Sequence, residues 1–170
     1  VKNNQDFVSP MTDVTDVTVE LYDTTTLSLV TSTTAVFKTD GTAVCTFSSA
    51  PSGSFYLTVK GSNFIQTWTA SPVTVGSTPL AYDFSDAATK AYGDNMALID
   101  TGVYGFFSGE LNGDGNVDNA DFSLWETDAN DFAFGAYITD LNGDGNVDNA
   151  DFSIWEANAN NFVFSVTPTP

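Results

Sequence analysis

Residues 111–123 read LNGDGNVDNADFS, and the same thirteen letters return at residues 141–153. The similarity continues past this identical stretch, since residues 124–134 read LWETDANDFAF and residues 154–164 read IWEANANNFVF. Two copies are too few to build a stacked repeat array. The repeat therefore predicts a paired module in which each copy covers the apolar face of the other.

Each copy carries oxygen-bearing side chains at the spacing of a calcium-binding loop. Counted from Asp140, these side chains fall at positions 1, 3, 5, 9 and 12, with glycine at position 6 where such a loop turns sharply. Position 7, Asn146, would offer its backbone carbonyl. A divalent cation would also relieve the repulsion between carboxylates held this close. We expect two Ca²⁺ ions, held by Glu110, Asn112, Asp114, Asn116, Asp118 and Asp121 in copy one, and by Asp140, Asn142, Asp144, Asn146, Asp148 and Asp151 in copy two.

The two loops differ at their first position, which is Glu110 in copy one and Asp140 in copy two. Glutamate is one methylene longer, so either the loop entry shifts or this residue does not ligate. Both copies end in Asp (Asp121 and Asp151), which has a shorter reach than the Glu usual at position 12. Turns held by Asn and Asp side-chain hydrogen bonds would explain one such loop, but two copies favour Ca²⁺.

A short helix is predicted after each loop, over residues 119–129 and 149–159. Val117 and Val147, at position 8 of each loop, are expected to pair in a short β contact between the loops. Aromatic side chains at helical and extended spacing are expected to form the core between the copies. They are Phe122, Trp125, Phe132, Phe134, Phe152, Trp155, Phe162 and Phe164.

Residues 1–100 are rich in Thr, Val and Ser and read as short strands separated by turns. Strands of this length and spacing predict an all-β sandwich. Cys45, the only cysteine, excludes an intramolecular disulfide and is expected to be a buried thiol. The predicted strands are residues 17–22, 35–38, 42–47, 55–60, 64–69, 73–75 and 80–84.

The predicted fold class is mainly β, with an Ig-like or transthyretin-like β-sandwich before the repeat module. Thr-rich residues 23–26 and 167–170 are candidate sites for O-glycans. The expected domains are residues 1–12 as an N-terminal extension or partner-pairing strand, 13–104 as the β-sandwich, 105–164 as the calcium-binding repeat pair and 165–170 as a Thr/Pro tail.

The chain is strongly acidic, with 22 Asp and Glu, 4 Lys and Arg, no His and a net charge of −18. This charge argues against binding to nucleic acid or to anionic membrane surfaces. The lack of His excludes Ser-His-Asp and Cys-His catalysis. The acids outside the loops form no catalytic motif, so we expect no enzyme, and the absence of a long apolar run predicts no membrane insertion.

The tandem loops, of pattern DxNxDGxVxxxD and each followed by one helix, resemble dockerin modules over residues 109–164. The resemblance implies a Ca²⁺-dependent module that binds a cohesin-like partner beside a β-sandwich. At the positions that commonly contact cohesin, this sequence has Asn-Ala in both loops and no basic pair in the helices. Residues 53–60, 67–69 and 82–84 also resemble sandwich domains of secreted and cell-surface proteins of Bacteroidetes-like bacteria.

Three functions stay open on the sequence alone. The first is an extracellular, Ca²⁺-stabilised subunit of a surface filament or adhesin, assembled from copies of itself, with residues 1–12 adding a strand to a neighbouring sheet. The second is docking to a cohesin-like receptor. The third is carbohydrate binding by an aromatic platform in the sandwich, formed by Trp68, Tyr56 or Tyr92.

Overall fold

The computed structural model describes residues 2–3, 15–38, 40–49 and 52–169. Within these residues the protein is mainly β, with antiparallel sheets and two α-helices, which is compatible with the predicted β-sandwich. The strands are β1 (Lys2–Asn3), β2 (Thr15–Asp23), β3 (Leu29–Phe37), β4 (Gly53–Lys60), β5 (Thr67–Trp68), β6 (Val73–Val75), β7 (Ala97–Asp100) and β8 (Val103–Phe106). The helices are α1 (Asn119–Asn130) and α2 (Asn149–Asn160).

The larger sheet is antiparallel, in the order β3–β2–β4–β5, and β6 also pairs with β4. Its central strand β2 alternates, so that Val17, Val19 and Leu21 are buried in the core while Glu20 and Tyr22 lie on the opposite face. Strand β3 lies at the edge of this sheet.

The smaller sheet has the order β1–β8–β7. β1 runs parallel to β8, with Lys2 opposite Gly105 and Asn3 opposite Phe106, and β7 runs antiparallel to β8. The extension predicted over residues 1–12 therefore pairs with its own chain at residues 2–3. The rest of that prediction lies outside the described residues.

Two predicted strands, over residues 42–47 and 80–84, are wrong, and β7 and β8 were not predicted. The alternation in residues 42–47 does reflect burial, because Cys45 and Phe47 are half-buried against the core. The backbone of this stretch makes no ladder, however, and contacts β3 through a bond from Thr33 Oγ1 to the Thr46 carbonyl. Burial raises the pKa of the Cys45 thiol, which suits an unreactive side chain.

Two hydrophobic clusters make up the core. The first joins both sheets and includes three packed aromatic rings, Phe64, Phe84 and Phe106. The second lies in the repeat module, but Ile65 from the β part inserts into it and is fully buried there. Its other buried members are Leu111, Val117, Trp125, Leu141, Val147, Trp155 and Val163.

Both helices begin with the same capping arrangement. The Asp118 carboxylate accepts the Ala120 N–H, while the Asp121 carboxylate accepts the Asp118 N–H, and α2 repeats this at Asp148. The observed bounds match the predicted ones to within one residue. Neither helix in the described part of the chain is long and apolar enough to span a membrane.

Backbone and side-chain hydrogen bonds connect the repeat module to the β part. The Gly109 N–H donates to the Asn63 carbonyl at 2.8 Å, and Asn158 Nδ2 of α2 donates to the Ser108 carbonyl at 2.7 Å. The chain after α2 also returns to the β part, where Ser165 Oγ donates to the Gln66 carbonyl at 2.6 Å. The C-terminal residues are thus part of the packed structure as far as the buried Pro168.

Candidate metal centre

Loop 2 (residues 140–151) has a buried carboxylate at each end. Asp140 is 3% exposed, and its two oxygens accept the N–H groups of Gly143 and Gly145 at 2.8 Å and that of Asp144 at 3.2 Å. These donors belong to positions 4 to 6, so the first acid draws the loop backbone around itself.

Asp151 closes the same loop from the other end and is fully buried. Its Oδ1 accepts the N–H groups of Leu141 and Asn142 at 2.7 and 2.9 Å, and its Oδ2 accepts the Asp148 N–H at 2.8 Å. One carboxylate therefore holds both the entry of the loop and the start of α2.

The middle of loop 2 carries its remaining oxygen side chains toward solvent. Asn142 Oδ1 accepts the Asp144 N–H, and Asp144 Oδ1 accepts the Asn146 N–H, which are the Asx-type hydrogen bonds of a turn. Gly145 has a φ of +89°, a left-handed conformation that favours glycine. The sharp turn predicted at position 6 is therefore present.

Loop 1 (residues 110–121) repeats this arrangement with one difference. Asp121 is fully buried and accepts the N–H groups of Leu111, Asn112 and Asp118, as Asp151 does in loop 2. Glu110 is buried as well and accepts the N–H of Gly113. The Asp114 N–H also acts on the Glu110 carboxylate, whereas Asp140 in addition accepts the N–H of position 6, Gly145, so the longer side chain holds one loop donor fewer.

Burial makes these terminal carboxylates costly to ionise without a cation. It is the largest cause that raises the pKa of Asp151 to about 6, and the neighbouring Asp140 charge raises it further. Burial likewise raises the pKa of Asp140, Asp121 and Glu110. Residues 101–170 contain no Lys, Arg or His, so no side chain of the module can balance these charges.

The exposed acids in the middle of each loop behave oppositely. The N–H of Asn146 is the largest cause that holds the pKa of Asp144 below its usual range, and Asn116 does the same for Asp114. These carboxylates are therefore ionised and accessible at neutral pH. The exposed middle of each loop is therefore negatively charged, whereas the carboxylates at the two ends of each loop are buried.

The structure does not bring three or more carboxylates, thiols or imidazoles into one metal-binding cluster within the described residues. Each loop has four carboxylates, but in this structure they accept N–H groups of the loop backbone, as Asp148 Oδ1 accepts that of Ala150 at 2.7 Å. The predicted ligands follow one another along each loop, and all of them are oxygen donors of the kind that Ca²⁺ prefers.

The expected β contact between Val117 and Val147 is wrong. The Val147 N–H donates to the Ala133 carbonyl, and the Val117 N–H donates to the Val163 carbonyl. Each loop therefore pairs with the segment that follows a helix: loop 2 with the segment after α1, and loop 1 with the segment after α2. Both valines remain buried in the shared cluster.

The helix aromatics form the expected core between the copies. Phe122 and Trp155 lie 5.0 Å apart, and Trp125 and Phe152 lie 5.2 Å apart, measured between ring centroids. The trailing phenylalanines do not join this core, so that part of the prediction is wrong. Their side chains are mostly exposed: Phe132 86%, Phe134 80%, Phe162 82% and Phe164 52%.

The three aromatics considered for carbohydrate binding do lie together on the outer face of the larger sheet. Tyr56 packs edge-on to both Trp68 and Tyr92, with ring centroids 6.2 and 6.4 Å apart. Trp68 is only 5% exposed and also contacts Tyr22. Tyr56 and Tyr92 are half-buried, so the three rings pack against one another with only two of them partly exposed.

One buried charge was not anticipated from the sequence. Glu20 is 5% exposed and accepts a hydrogen bond from Gln66 Nε2 at 2.8 Å, with Lys60 Nζ 3.3 Å away. The alternation of β2 places Glu20 on the same face as Tyr22, away from the core. The burial of Glu20 comes from its contacts with Gln66 and with Lys60 of β4. In contrast, Asp83, Asp86, Asp94 and Asp100 are exposed, as expected of acids with no catalytic motif.

Comparison of the chain with family models, with curated protein sequences and with solved structures found no match.

Proposed function

We propose that the protein is a non-catalytic extracellular structural subunit, whose repeat pair is a dockerin-like module stabilised by two Ca²⁺ ions. One observation carries the metal assignment: each loop buries a carboxylate at both ends, and the module has no basic residue to balance them. A cation from solution is the remaining source of positive charge. The oxygen-only donor set selects Ca²⁺ over softer metals.

The position of the loops supports a structural role for this ion. Loop 1 pairs with the segment after α2, and Ser165 in that segment donates to the carbonyls of both Gly115 and Gln66. Stiffening loop 1 would therefore stiffen the contact between the module and the β part. Extracellular Ca²⁺ is high enough to fill even sites with dissociation constants of about 10⁻⁴–10⁻³ M.

Calorimetry tests the metal assignment. Titration of the intact chain should give two Ca²⁺ ions, and Asp144→Ala or Asp148→Ala should weaken one of them. Glu126→Ala, an exposed acid on α1, is the matched control and should leave both affinities unchanged. Unchanged affinity in both loop variants would refute the ligand assignment.

Hydrogen exchange and light scattering test the structural role. In chelator, amides of residues 110–165 should lose protection before those of the larger sheet, and light scattering should report smaller particles than in millimolar Ca²⁺. A chain that stays monomeric in both conditions would refute assembly from copies of itself.

A docking module is the second candidate, because the outer helix surfaces beside the loops are exposed. Loop positions 10 and 11 are Asn119 and Ala120 in copy one, with Asn149 and Ala150 in copy two, and all four are exposed. Binding of a purified cohesin module to the Ca²⁺-loaded chain would support this alternative. The lack of basic residues on these helices disfavours it against the structural role.

A further inference from the structure

The two tryptophans of the repeat module occupy equivalent positions but differ in their hydrogen bonds. Trp125 of α1 and Trp155 of α2 stand at the same place in the repeat, and each is 8% exposed. Trp155 Nε1 donates to the Asp118 carbonyl of loop 1 at 3.0 Å. Trp125 Nε1 is buried and has no hydrogen-bond partner in the part of the chain that the structure describes. Repeat symmetry would pair it with the Asp148 carbonyl of loop 2, so only one of two equivalent bonds is made.

The aromatic core does not explain this difference. Trp155 lies 5.6 Å from the phenylalanine of its own helix and 5.0 Å from that of the other helix, measured between ring centroids. For Trp125 the corresponding distances are 5.7 and 5.2 Å. The two acceptor residues are also alike, since both have a backbone φ of −147°. The difference between the copies therefore comes from what lies beside each tryptophan.

The residue before each loop differs between the copies. Gly109 precedes loop 1 with a φ of +101°, and a Cβ atom added to it would lie only 3.4 Å from Trp155 Cα and 3.6 Å from Trp155 Cδ1. The equivalent residue before loop 2 is Thr139, which is fully buried and whose hydroxyl donates to Asp128 Oδ2 at 2.6 Å. Loop 1 therefore meets its tryptophan with no intervening side chain, whereas a side chain stands at the entry of loop 2.

Helix α2 thereby holds loop 1 at both ends. Asn158, one turn after Trp155, donates to the Ser108 carbonyl at 2.7 Å, just before the loop begins. Trp155 holds the other end at Asp118, whose carbonyl also accepts the Phe122 N–H in the first turn of α1. Asp118 is the predicted ligand at position 9, so a donor on its carbonyl orients the residue that carries the ligand. A site that is oriented in advance loses less conformational freedom when it binds an ion.

We propose that Trp155 is a positioning residue for the calcium site of loop 1, acting through the bond from its Nε1 to the Asp118 carbonyl. Copy two of the repeat thus orients a ligand of copy one before the ion binds. Loop 2 lacks the equivalent bond, so its position 9 is oriented by the contacts of its own helix. This inference rests on the proposed calcium binding and identifies a residue outside the loop that sets the affinity of one site.

Calorimetry of the intact chain compares Trp155→Phe with Trp125→Phe. Phenylalanine keeps an aromatic ring in the core and removes the indole N–H, and each variant is measured with the other loop weakened by Asp144→Ala or Asp114→Ala. Trp155→Phe should lower the Ca²⁺ affinity of loop 1 by about tenfold, as loss of an outer-shell partner commonly does. Trp125→Phe should leave the affinity of loop 2 unchanged, because no bond is lost. Equal losses in the two variants would show a packing effect and overturn the proposal.

Two NMR measurements in chelator test the bond itself, without the ion. The hydrogen-bonded indole proton of Trp155 should resonate at lower field than that of Trp125. Trp155→Phe should speed hydrogen exchange of the Phe122 amide by roughly two- to tenfold, since the carbonyl that accepts it is no longer held by α2. The Phe152 amide should be unaffected in Trp125→Phe. Indole protons at the same field, together with equal exchange effects, would contradict the assigned bond.

A pair of glycine variants tests the same point with both tryptophans in place. Gly109→Ala brings a methyl group against Trp155 and to 3.3 Å from Val117 Cγ1. Gly135→Ala creates the same backbone strain, since Gly135 has a φ of +102°, but the added Cβ meets no atom of the described chain beyond its neighbours within 4 Å. Gly109→Ala should weaken Ca²⁺ binding at loop 1, whereas Gly135→Ala should not. A displaced Trp155 indole resonance with unchanged loop 1 affinity would overturn the positioning role.

The outcomes separate this inference from the calcium proposal. If the wild-type chain binds two Ca²⁺ ions and Trp155→Phe binds the ion of loop 1 equally tightly, Trp155 is not a positioning residue and the calcium proposal survives. If the wild-type chain binds no Ca²⁺, both proposals are refuted.

Discussion

Replacing Asp151 by Asn should destabilise the protein strongly in Ca²⁺ and leave it almost unchanged in chelator. Asp151 accepts three N–H groups in a fully buried position, from Leu141, Asn142 and Asp148. Asparagine offers one acceptor oxygen where the carboxylate has two, so at least one of these donors loses its partner. That loss costs about 1–3 kcal/mol under either condition.

A second contribution to the free energy of unfolding has the opposite sign and acts only when no cation is bound. Burial raises the pKa of Asp151 from 3.8 to about 6, so the folded protein favours the protonated carboxyl. The stabilisation from this group is complete below the unfolded pKa of 3.8 and is lost as pH rises through about 6. At neutral pH the ionised group therefore costs on the order of 3 kcal/mol, which a neutral amide avoids.

In chelator the two terms oppose each other, and a cost of about 1–3 kcal/mol against a gain of about 3 kcal/mol leaves the variant about 0–2 kcal/mol more stable. In Ca²⁺ the ion balances the charge and the second term vanishes. Removing one charged partner of a buried pair then costs about 3–5 kcal/mol. The expected signature is thus a mutational effect that depends on Ca²⁺.

This difference is measured by denaturant unfolding of the wild-type chain and of Asp151→Asn, each in Ca²⁺ and in chelator, with tryptophan fluorescence as the signal. Trp125 and Trp155 report on the module, since both lie in its core. Glu126→Gln changes the charge equally at an exposed position of α1 and should show no Ca²⁺-dependent effect. If Asp151→Asn lowers stability equally in Ca²⁺ and in chelator, the loop is an Asx-bonded turn and the calcium proposal is refuted.

Changes at three other positions have equally specific expected results. Glu110→Asp should raise the Ca²⁺ affinity of loop 1 by about tenfold in calorimetry, because a shorter acid can gather the loop backbone as loop 2 does. Asn158→Ala should lower the free energy of unfolding by about 1–2 kcal/mol, since it removes the buried bond to the Ser108 carbonyl. Ser85→Ala should raise the pKa of Asp83 in an NMR titration, because the Ser85 hydroxyl is the largest cause that lowers it. The stability from this depressed pKa is present above the ordinary carboxyl value and is lost as pH falls through the folded pKa.

Each of these changes has a control within the chain. Loop 2 serves as the internal reference for Glu110→Asp, and an unchanged ratio of the two affinities would contradict the prediction. Asn160→Ala makes the same change at an exposed helix position and should not destabilise. The pKa of Asp40, which Thr42 lowers, should stay fixed in Ser85→Ala.

Local sequence predicts the parts of this fold that local interactions determine. Asp118 and Asp148 define the helix starts because each caps its helix and exchanges hydrogen bonds with the acid three residues on. The alternation of apolar and polar residues in β2 also predicts which face of that strand is buried, because successive side chains of a strand point to opposite faces. The sharp turn at Gly145 likewise follows from the loop pattern, whereas the burial of the carboxylates at both ends of each loop was not predicted.

Tertiary context decided the features that the sequence missed. Residues 42–47 alternate because Cys45 and Phe47 pack against the core, but their backbone does not pair with a strand. Periodicity in a sequence indicates which side chains are buried and does not show whether the backbone joins a sheet. The pairing of Val147 with Ala133 depends on how the two copies cross. Phe132 was expected inside because it is large and apolar, but its left-handed backbone at the helix end turns it outward.

The crossing of the two copies makes the proposed calcium sites unequal in function. In loop 1, the Asp118 carbonyl accepts a hydrogen bond from Trp155 Nε1 of α2. Loop 1 also pairs with the segment after α2, in which Ser165 Oγ donates to the Gln66 carbonyl of the β part. Loop 2 pairs with the segment after α1, through the bond from the Gly135 N–H to the Gly145 carbonyl. Ca²⁺ in loop 1 would therefore stiffen the junction with the β part, whereas Ca²⁺ in loop 2 would stiffen only the segment after α1. Loss of the ion from loop 2 alone should lower the hydrogen-exchange protection of Gly135 and Val147 while the junction stays protected.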